Sequence, residues 1–222
     1  MERYQVGEHG FKRGTDLVDA VTRQQLLDAV GAIKVAGRRD MLAVPAVASL
    51  ARSQKLLELL RAHMNGAPRP VRVIWFNKSA DANWLVAWHQ DLAIAVRERV
   101  DAPGFGAWSV KEGAVHVQPP VEVLERMLTV RIHLDDADAE NGALRVIAGT
   151  HRMGRLGAER IAWLREERGE TLCVAAAGDA LLMRPLLLHA SGRSTSPRPR
   201  RVLHIEYAAQ DLPDGLAWQE SG

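Results

Sequence analysis

"NWLVAWHQDLAIAV", residues 83–96, sets a histidine and a carboxylate, His89 and Asp91, two positions apart inside an otherwise apolar run. Residues two apart on a β-strand project from the same face, so His89 and Asp91 are expected to point together into the interior of a β-structure. Two groups that prefer water need a reason to be there, and a shared metal ion supplies one. A histidine and a carboxylate lack one further ligand of the facial triad used for Fe(II), a set that leaves positions open for a cosubstrate and dioxygen.

From Arg69 onward, short β-type runs recur between turn signals: "VRVIWF", "WLVAW", "LAIAV", "AVHVQ", "MLTVRIHL", "ALRVI", "LCVA", "ALLM", "LLLHA" and "RRVLHIEYA". Such a density of short strands reads as a sandwich or barrel. Only "GAERIAWLREERG" interrupts it with helical character. Between residues 22 and 64, "TRQQLLDAV" and "PAVASLARSQKLLELLRAHM" repeat apolar residues at helical spacing. Two helices are expected there, with Thr22 as an N-cap and Pro45 as a helix start. The chain is expected to be one domain of 222 residues, with a mostly helical region over 1–68 packed on a barrel core over 69–210.

Composition narrows the function classes. With 29 basic and 27 acidic residues and no basic arm, nucleic acid is not an expected partner. The N-terminal "MERYQVGEHGFKRGTD" has no apolar core of a signal sequence, and no stretch is apolar for long enough to span a bilayer. The single cysteine, Cys173, sits among small and β-branched residues in "TLCVAAAG" and reads as a buried thiol. A cytoplasmic location is expected.

The third metal ligand is sought in another apolar run, "ALLMRPLLLHASG" (180–192), which ends on His189. Metal ligation satisfies one ring nitrogen of a buried histidine and leaves the other for a supporting hydrogen bond. A polar, proline-containing turn and a strand follow, "SGRSTSPRPRRVLHIEYA" (191–208), so the chain is expected to double back and bring Arg200 beside the strand of His189. A guanidinium inside a barrel calls for a carboxylate. Arg200, eleven positions after His189, suits the far carboxylate of a small diacid that chelates the metal through its other end.

These segments resemble the phytanoyl-CoA dioxygenase branch of the Fe(II)/2-oxoglutarate oxygenases, from about Val71 to Tyr207. "WHQD" is similar to that family's H-x-D segment, "LTVRIHLDDADAENGALRVIAGTHR" to its central stretch, and "LLLHASG…RPRRVLHIEYA" to its distal histidine and arginine region. The resemblance implies a double-stranded β-helix, a jelly-roll or cupin-like barrel that is mainly β with flanking α-helices. It makes His89, Asp91 and His189 the iron ligands, Arg200 the partner of the 2-oxoglutarate C5 carboxylate, and Ser191 an assisting hydroxyl. Two departures stand out: "AGTH" replaces the commoner "PGSH", and Arg131 occupies a position where an aromatic residue is frequent, so the resemblance assigns Arg131 no role.

Rival constellations exist. "RIHLDD" contains a second H-x-D, His133 and Asp135, which reads better as a strand end running into a polar turn. His204 and Glu206 share the parity of Arg200 on its strand and can face the cavity, although a hydrogen-bonded strand face explains them too. Gln90 should face away from the two ligands and bond locally. Asn77 and Lys78 read either as cosubstrate contacts or as a solvated strand end, and Trp75, Trp84 and Trp88 as core. The Gly-rich segment "DAPGFGAWSVKEGA" (101–114), with Phe105, Trp108 and Lys111, reads as a lid or as a surface loop.

The expected function is hydroxylation of a small-molecule substrate by dioxygen, with 2-oxoglutarate converted to succinate and CO2. Asp91 agrees with this, because related halogenases carry a small residue at the matching position. A metal-dependent hydrolase or isomerase, or a non-catalytic metal- or ligand-binding protein, stands as the alternative. Neither calls for an arginine eleven positions beyond the last ligand.

Overall fold

The structure, a computed structural model, describes residues 4–31, 33, 35–79 and 82–219. Two antiparallel sheets face one another. The major sheet runs in the order β1–β11–β8–β13–β3–β2, built from β1 (Phe11–Gly14), β2 (Gly37–Arg38), β3 (Arg69–Lys78), β8 (Leu128–His133), β11 (Ala180–Met183) and β13 (Arg200–Ala208). The minor sheet is β10–β9–β12–β4, from β4 (Val86–His89), β9 (Leu144–Val146), β10 (Thr171–Cys173) and β12 (His189–Ser191). Of the strands from β8 to β13, β8, β11 and β13 lie in the major sheet and β9, β10 and β12 in the minor one, the two-sheet arrangement of the double-stranded β-helix expected from the sequence. Among the described residues, no helix is long and apolar enough to cross a membrane.

Period-two alternation decides what each sheet face carries. On β8, Leu128, Val130 and Ile132 join Leu203, Ile205 and Tyr207 of β13, and Val73 and Trp75 of β3, in the largest apolar cluster. Helices α2 (Ala20–Val30), α3 (Pro45–Ala51) and α4 (Gln54–Arg61) close that outer face with Leu26, Val30, Val47, Leu50, Leu56 and Leu60. Tyr207 anchors the layer, its hydroxyl donating to the Ala51 carbonyl at 2.8 Å. The residues of opposite parity turn inward, between the sheets. These are Arg72, Phe76 and Lys78 on β3, Arg131 and His133 on β8, and Arg200, His204 and Glu206 on β13, held in register by the pairs Arg200↔Lys78, His204↔Arg131 and Glu206↔Arg72. Both faces of the central strands are therefore buried, which is why those segments are apolar or specifically polar throughout.

Several local expectations need correction. The N-cap of α2 is Asp19, whose carboxylate accepts from the Thr22 amide at 2.8 Å, so the helix begins a turn earlier than Thr22 implied. Pro45 does open α3, but the expected second helix breaks at Arg52 and Ser53 into α3 and α4. The N-terminal region also contributes β1 and β2 to the edges of the major sheet. The Gly-rich segment is no irregular loop. With β5 (Ile94–Val96), β6 (Gly106–Lys111) and β7 (Ala114–Gln118) form a third, three-stranded sheet, in which Glu112 and Gly113 make a two-residue hairpin turn at φ +51° and +80°. Two consecutive positive φ angles match the twist of a hairpin and favour glycine at one of them. Helices α5 (Val121–Arg126) and α6 (Ala158–Glu167) complete the chain beside a short α1 (Val6–His9).

Candidate metal centre and diacid subsite

The three expected ligands converge. β12 lies between β9 and β4, and its pairing sets His189 directly opposite His89, with ring centroids 4.2 Å apart. Each ring donates its Nδ1 proton to the carbonyl two residues earlier, His89 to Ala87 and His189 to Leu187, both at 2.8 Å. That fixes the tautomer and leaves both Nε2 lone pairs directed at Asp91, 3.7 Å from one carboxylate oxygen or the other. Asp91 is not on the strand of His89, as the sequence pattern suggested. β4 ends at His89, and Asp91 is positioned in the following connection by its amide, which donates to the Pro185 carbonyl at 2.9 Å. Gln90 bonds to distant rather than local partners, donating to the Gly154 and Leu186 carbonyls and accepting from the Leu156 amide, and it also lines the cavity that the ligands face.

The residues present fit a divalent metal. One donor atom from each of His89, Asp91 and His189 lies within 4.8 Å of the others, and the Asp91 Oδ2 atom is buried with no hydrogen-bond partner. Burial pushes His189 down to about 4, so its imidazole is neutral and its lone pair free at neutral pH. Burial opposes ionisation of Asp91, but the surrounding His189, His89 and His204 outweigh it and hold the carboxyl well below the usual carboxylate range. An anionic carboxylate beside two imidazoles is the donor set that Fe(II) takes; His89, which burial pushes down but contact with Asp91 raises overall, gives up any Nε2 proton when a metal binds.

Across the interior lies a second polar group. Arg200 does not sit beside β12, as the sequence suggested, because β13 belongs to the opposite sheet. It reaches across the gap, donating from Nη2 to Ser191 Oγ at 3.2 Å. Lys78 donates to the same hydroxyl at 3.0 Å and also to the Gly192 carbonyl. Ser191 in turn donates to the Gly142 carbonyl at 2.8 Å. Arg200 Nε and Nη1 are buried and have no partner among the described residues, so the guanidinium keeps N–H groups to offer a carboxylate. Lys78 is fully buried, which removes the solvated-strand-end reading; its parity with Phe76 on a strand paired to that of Arg200 was the signal. The "NG" of the central motif is structural: Asn141 clasps the turn through the Asp136 carbonyl and the Asp138 amide, and Gly142, at φ +76°, has no room for a Cβ, which would lie 2.6 Å from the Gly192 carbonyl oxygen.

The rival ligand pair does not assemble. His133 is buried on the inner face of β8 with no partner on either nitrogen, whereas Asp135 turns away and holds Arg201 through two bonds of 2.7 Å. His204 and Glu206 are interior rather than a solvated face. Arg131 donates to His204 Nδ1 at 2.8 Å, so the His204 proton is on Nε2, 3.8 Å from Asp91 and 3.6 Å from Glu206. Glu206 is clamped by both Arg72 nitrogens, Nε at 2.9 Å and Nη2. Of the tryptophans, Trp75 is core and Trp88 packs against the Ile147, Leu164 and Leu188 cluster beneath Arg145, but Trp84 lines the cavity. Lys111 reaches the same cavity from the tip of the β6–β7 hairpin. The cavity measures about 470 Å³, within the range of roughly 300–1,000 Å³ usual for small-molecule sites.

Residues 8–202 match the family of phytanoyl-CoA dioxygenase (PhyH). This chain belongs to the phytanoyl-CoA dioxygenase family. That family is one of oxygenases that use ferrous iron and 2-oxoglutarate, and the donor set of this chain agrees with it. A curated relative is the methylphosphonate hydroxylase of Gimesia maris, 28% identical over 123 residues, covering 53% of this chain. The chain spans only 46% of that relative's length. Among solved structures, EctD from S. alaskensis with 2-oxoglutarate and 5-hydroxyectoine superposes at TM-score 0.72, with 21% identity over 92% of this chain and 73% of its own. HygX from Streptomyces hygroscopicus with nickel, 2-oxoglutarate and hygromycin B gives 0.65, with 17% identity over 92% and 85%. At these identities the likeness is one of fold.

Proposed function

We propose that this family member hydroxylates a small molecule, with His89, Asp91 and His189 holding Fe(II), and with Arg200, Ser191 and Lys78 receiving the C5 carboxylate of 2-oxoglutarate. The observation that carries this reading is the pairing of three converging metal donors with a buried arginine that lines the same cavity and has two guanidinium nitrogens without a partner. When bound, the iron supplies the activation of dioxygen that couples decarboxylation of 2-oxoglutarate, giving succinate and CO2, to insertion of the second oxygen atom into a substrate C–H bond. The chain's own residues bind and orient. Arg200 and Lys78 neutralise one end of the diacid and so fix its direction toward the donors, while Ser191 fixes the spacing between the two cations.

Succinate formation tests the reaction class. Purified protein with Fe(II), 2-oxoglutarate and oxygen is expected to release succinate slowly, and a candidate substrate is expected to accelerate it with one substrate hydroxylated per succinate. A substrate converted without succinate release or oxygen consumption would replace this reading with the hydrolase or isomerase. Methylphosphonate, the compound that the Gimesia maris relative is named for, is a suitable first candidate.

Lys78 makes the cosubstrate affinity pH-dependent. Burial, with the nearby Arg200 and Arg131 charges, pushes it down to about 8. Only the ammonium attracts a carboxylate, and 2-oxoglutarate stays ionised above pH 6. Affinity is therefore expected to be flat below pH 7 and to fall above pH 8, by at most about tenfold per pH unit. Calorimetric titrations from pH 6.5 to 9 check this. In Lys78→Met the affinity should be lower at pH 7 and the slope above pH 8 should vanish; a slope that persists would place the titrating group elsewhere.

A further inference from the structure

The interior holds more positive charge than the proposed metal and cosubstrate consume. Arg72, Lys78, Arg131 and Arg200 are each at most 8% exposed. Arg72 is matched by Glu206, but among the described residues no salt bridge reaches Lys78, Arg131 or Arg200. With Asp91 on a ferrous ion, one positive charge remains at the metal, and three more remain on these side chains. A 2-oxoglutarate dianion offsets two of the four. About two unit charges then stay buried without a counter-ion, and an unpaired buried ion costs several kcal/mol.

Resting on the function proposed above, we propose that the substrate is a small organic oxyanion, bearing a carboxylate, phosphonate or phosphate, and that Arg131 receives its anionic group. Arg200 and Lys78 converge on the single hydroxyl of Ser191 and so form one carboxylate subsite. Arg131 belongs to another. It pairs across the sheet with His204, four residues further along β13, where His204 approaches Asp91. One guanidinium nitrogen is spent on His204, Nε is buried without a partner, and the guanidinium carbon lies 5.5 Å from the Phe76 ring centre, which holds it in place. The C1 carboxylate of the cosubstrate, on the metal, already has its counter-charge, so the anion that Arg131 lacks comes with the substrate. This group would then sit beside the metal donors, where a neighbouring C–H bond is within reach of the reaction. Arg39 and Lys111 also line the cavity, and a positive lining draws anions in. A long acyl chain finds no apolar tunnel here, because Arg72, Gln90, Gln118, Arg131 and His204 interrupt the lining.

The test is calorimetry on the protein loaded anaerobically with Fe(II) and saturating 2-oxoglutarate. Propionate and ethylphosphonate serve as oxyanion probes and propionamide as their neutral counterpart. Expected is binding of at least one oxyanion, weakened by salt, and no binding of propionamide. In Arg131→Gln the oxyanion affinity should fall by roughly 30-fold or more, with Arg131→Lys in between. The 2-oxoglutarate affinity should move less than about threefold in both, which also reports that the variants are folded. Oxyanions that bind only when 2-oxoglutarate is absent, or propionamide binding as well as propionate, would overturn the proposal on the wild-type protein alone. Loss of 2-oxoglutarate affinity with unchanged oxyanion binding in Arg131→Gln would assign Arg131 to the cosubstrate instead. A wild-type protein that binds no 2-oxoglutarate would remove the cosubstrate reading, and this proposal with it.

Discussion

His89→Ala and His189→Ala are each expected to abolish the weak visible band that anaerobic Fe(II) and 2-oxoglutarate form together, whereas His133→Ala keeps it. Burial does not single out the ligands, since His133 is as buried as His189 while His89 is partly exposed. What separates them is the second ring nitrogen. In His89 and His189 it is tied to a backbone carbonyl, which turns Nε2 toward Asp91; in His133 neither nitrogen has a partner. Burial and the Arg131 and Arg200 charges push His133 down to about 3, so it is a neutral ring among cations, a poor place for another cation. Loss of a supporting group around a metal already costs about 10–100-fold in affinity, and loss of a direct ligand exceeds that. Measuring Fe(II) affinity by competition with a coloured chelator puts all three variants on one scale. A band that survives His89→Ala and disappears in His133→Ala would transfer the site to the second H-x-D.

That the ligand triad could be read from sequence at all follows from cost. A histidine or carboxylate in an apolar run is expensive unless something satisfies it, so His89, Asp91 and His189 stood out against their surroundings. The geometry was less legible than the residues, since Asp91 lies past the end of β4 and is aimed by a backbone hydrogen bond that no side-chain pattern announces. Lys78 was legible only in part for a related reason. Its burial depends on which strand lies beside β3, and pairing between residues 78 and 200 is a long-range fact. Strand β6 and the edge strands β1 and β2 were hidden by short length and by glycine-rich or polar composition, which strand propensity scores poorly. The Arg72–Glu206 clamp and the Arg131–His204 contact required three strands in register before either could be seen.

Arg200→Ala is expected to weaken 2-oxoglutarate binding by about 30-fold to several thousandfold, while Arg201→Ala leaves it within about threefold. Alternation puts the two neighbours on opposite faces of β13. Arg200 turns inward, 3% exposed, with two N–H groups unpartnered, whereas Arg201 turns outward to Asp135. Removing Arg200 leaves a carboxylate in a partly desolvated pocket without its charge-assisted partner, a loss of roughly 2–5 kcal/mol, which converts to that range at about 1.4 kcal/mol per factor of ten. Lys78 remains in the Arg200→Ala protein and softens the loss, so Arg200→Ala combined with Lys78→Met should fall further than either alone. Arg201→Ala is not silent in every respect. It breaks a half-buried ion pair at the start of the strand and should lower thermal stability, by roughly 1 kcal/mol after allowance for solvent screening. Affinity and stability thus separate the two arginines in opposite senses. Titrating 2-oxoglutarate against both variants, with a thermal melt on each, decides the strand register. Weakening confined to Arg201→Ala would mean that the inner face of β13 carries the odd-numbered residues, and no weakening in either would remove the diacid from this pocket.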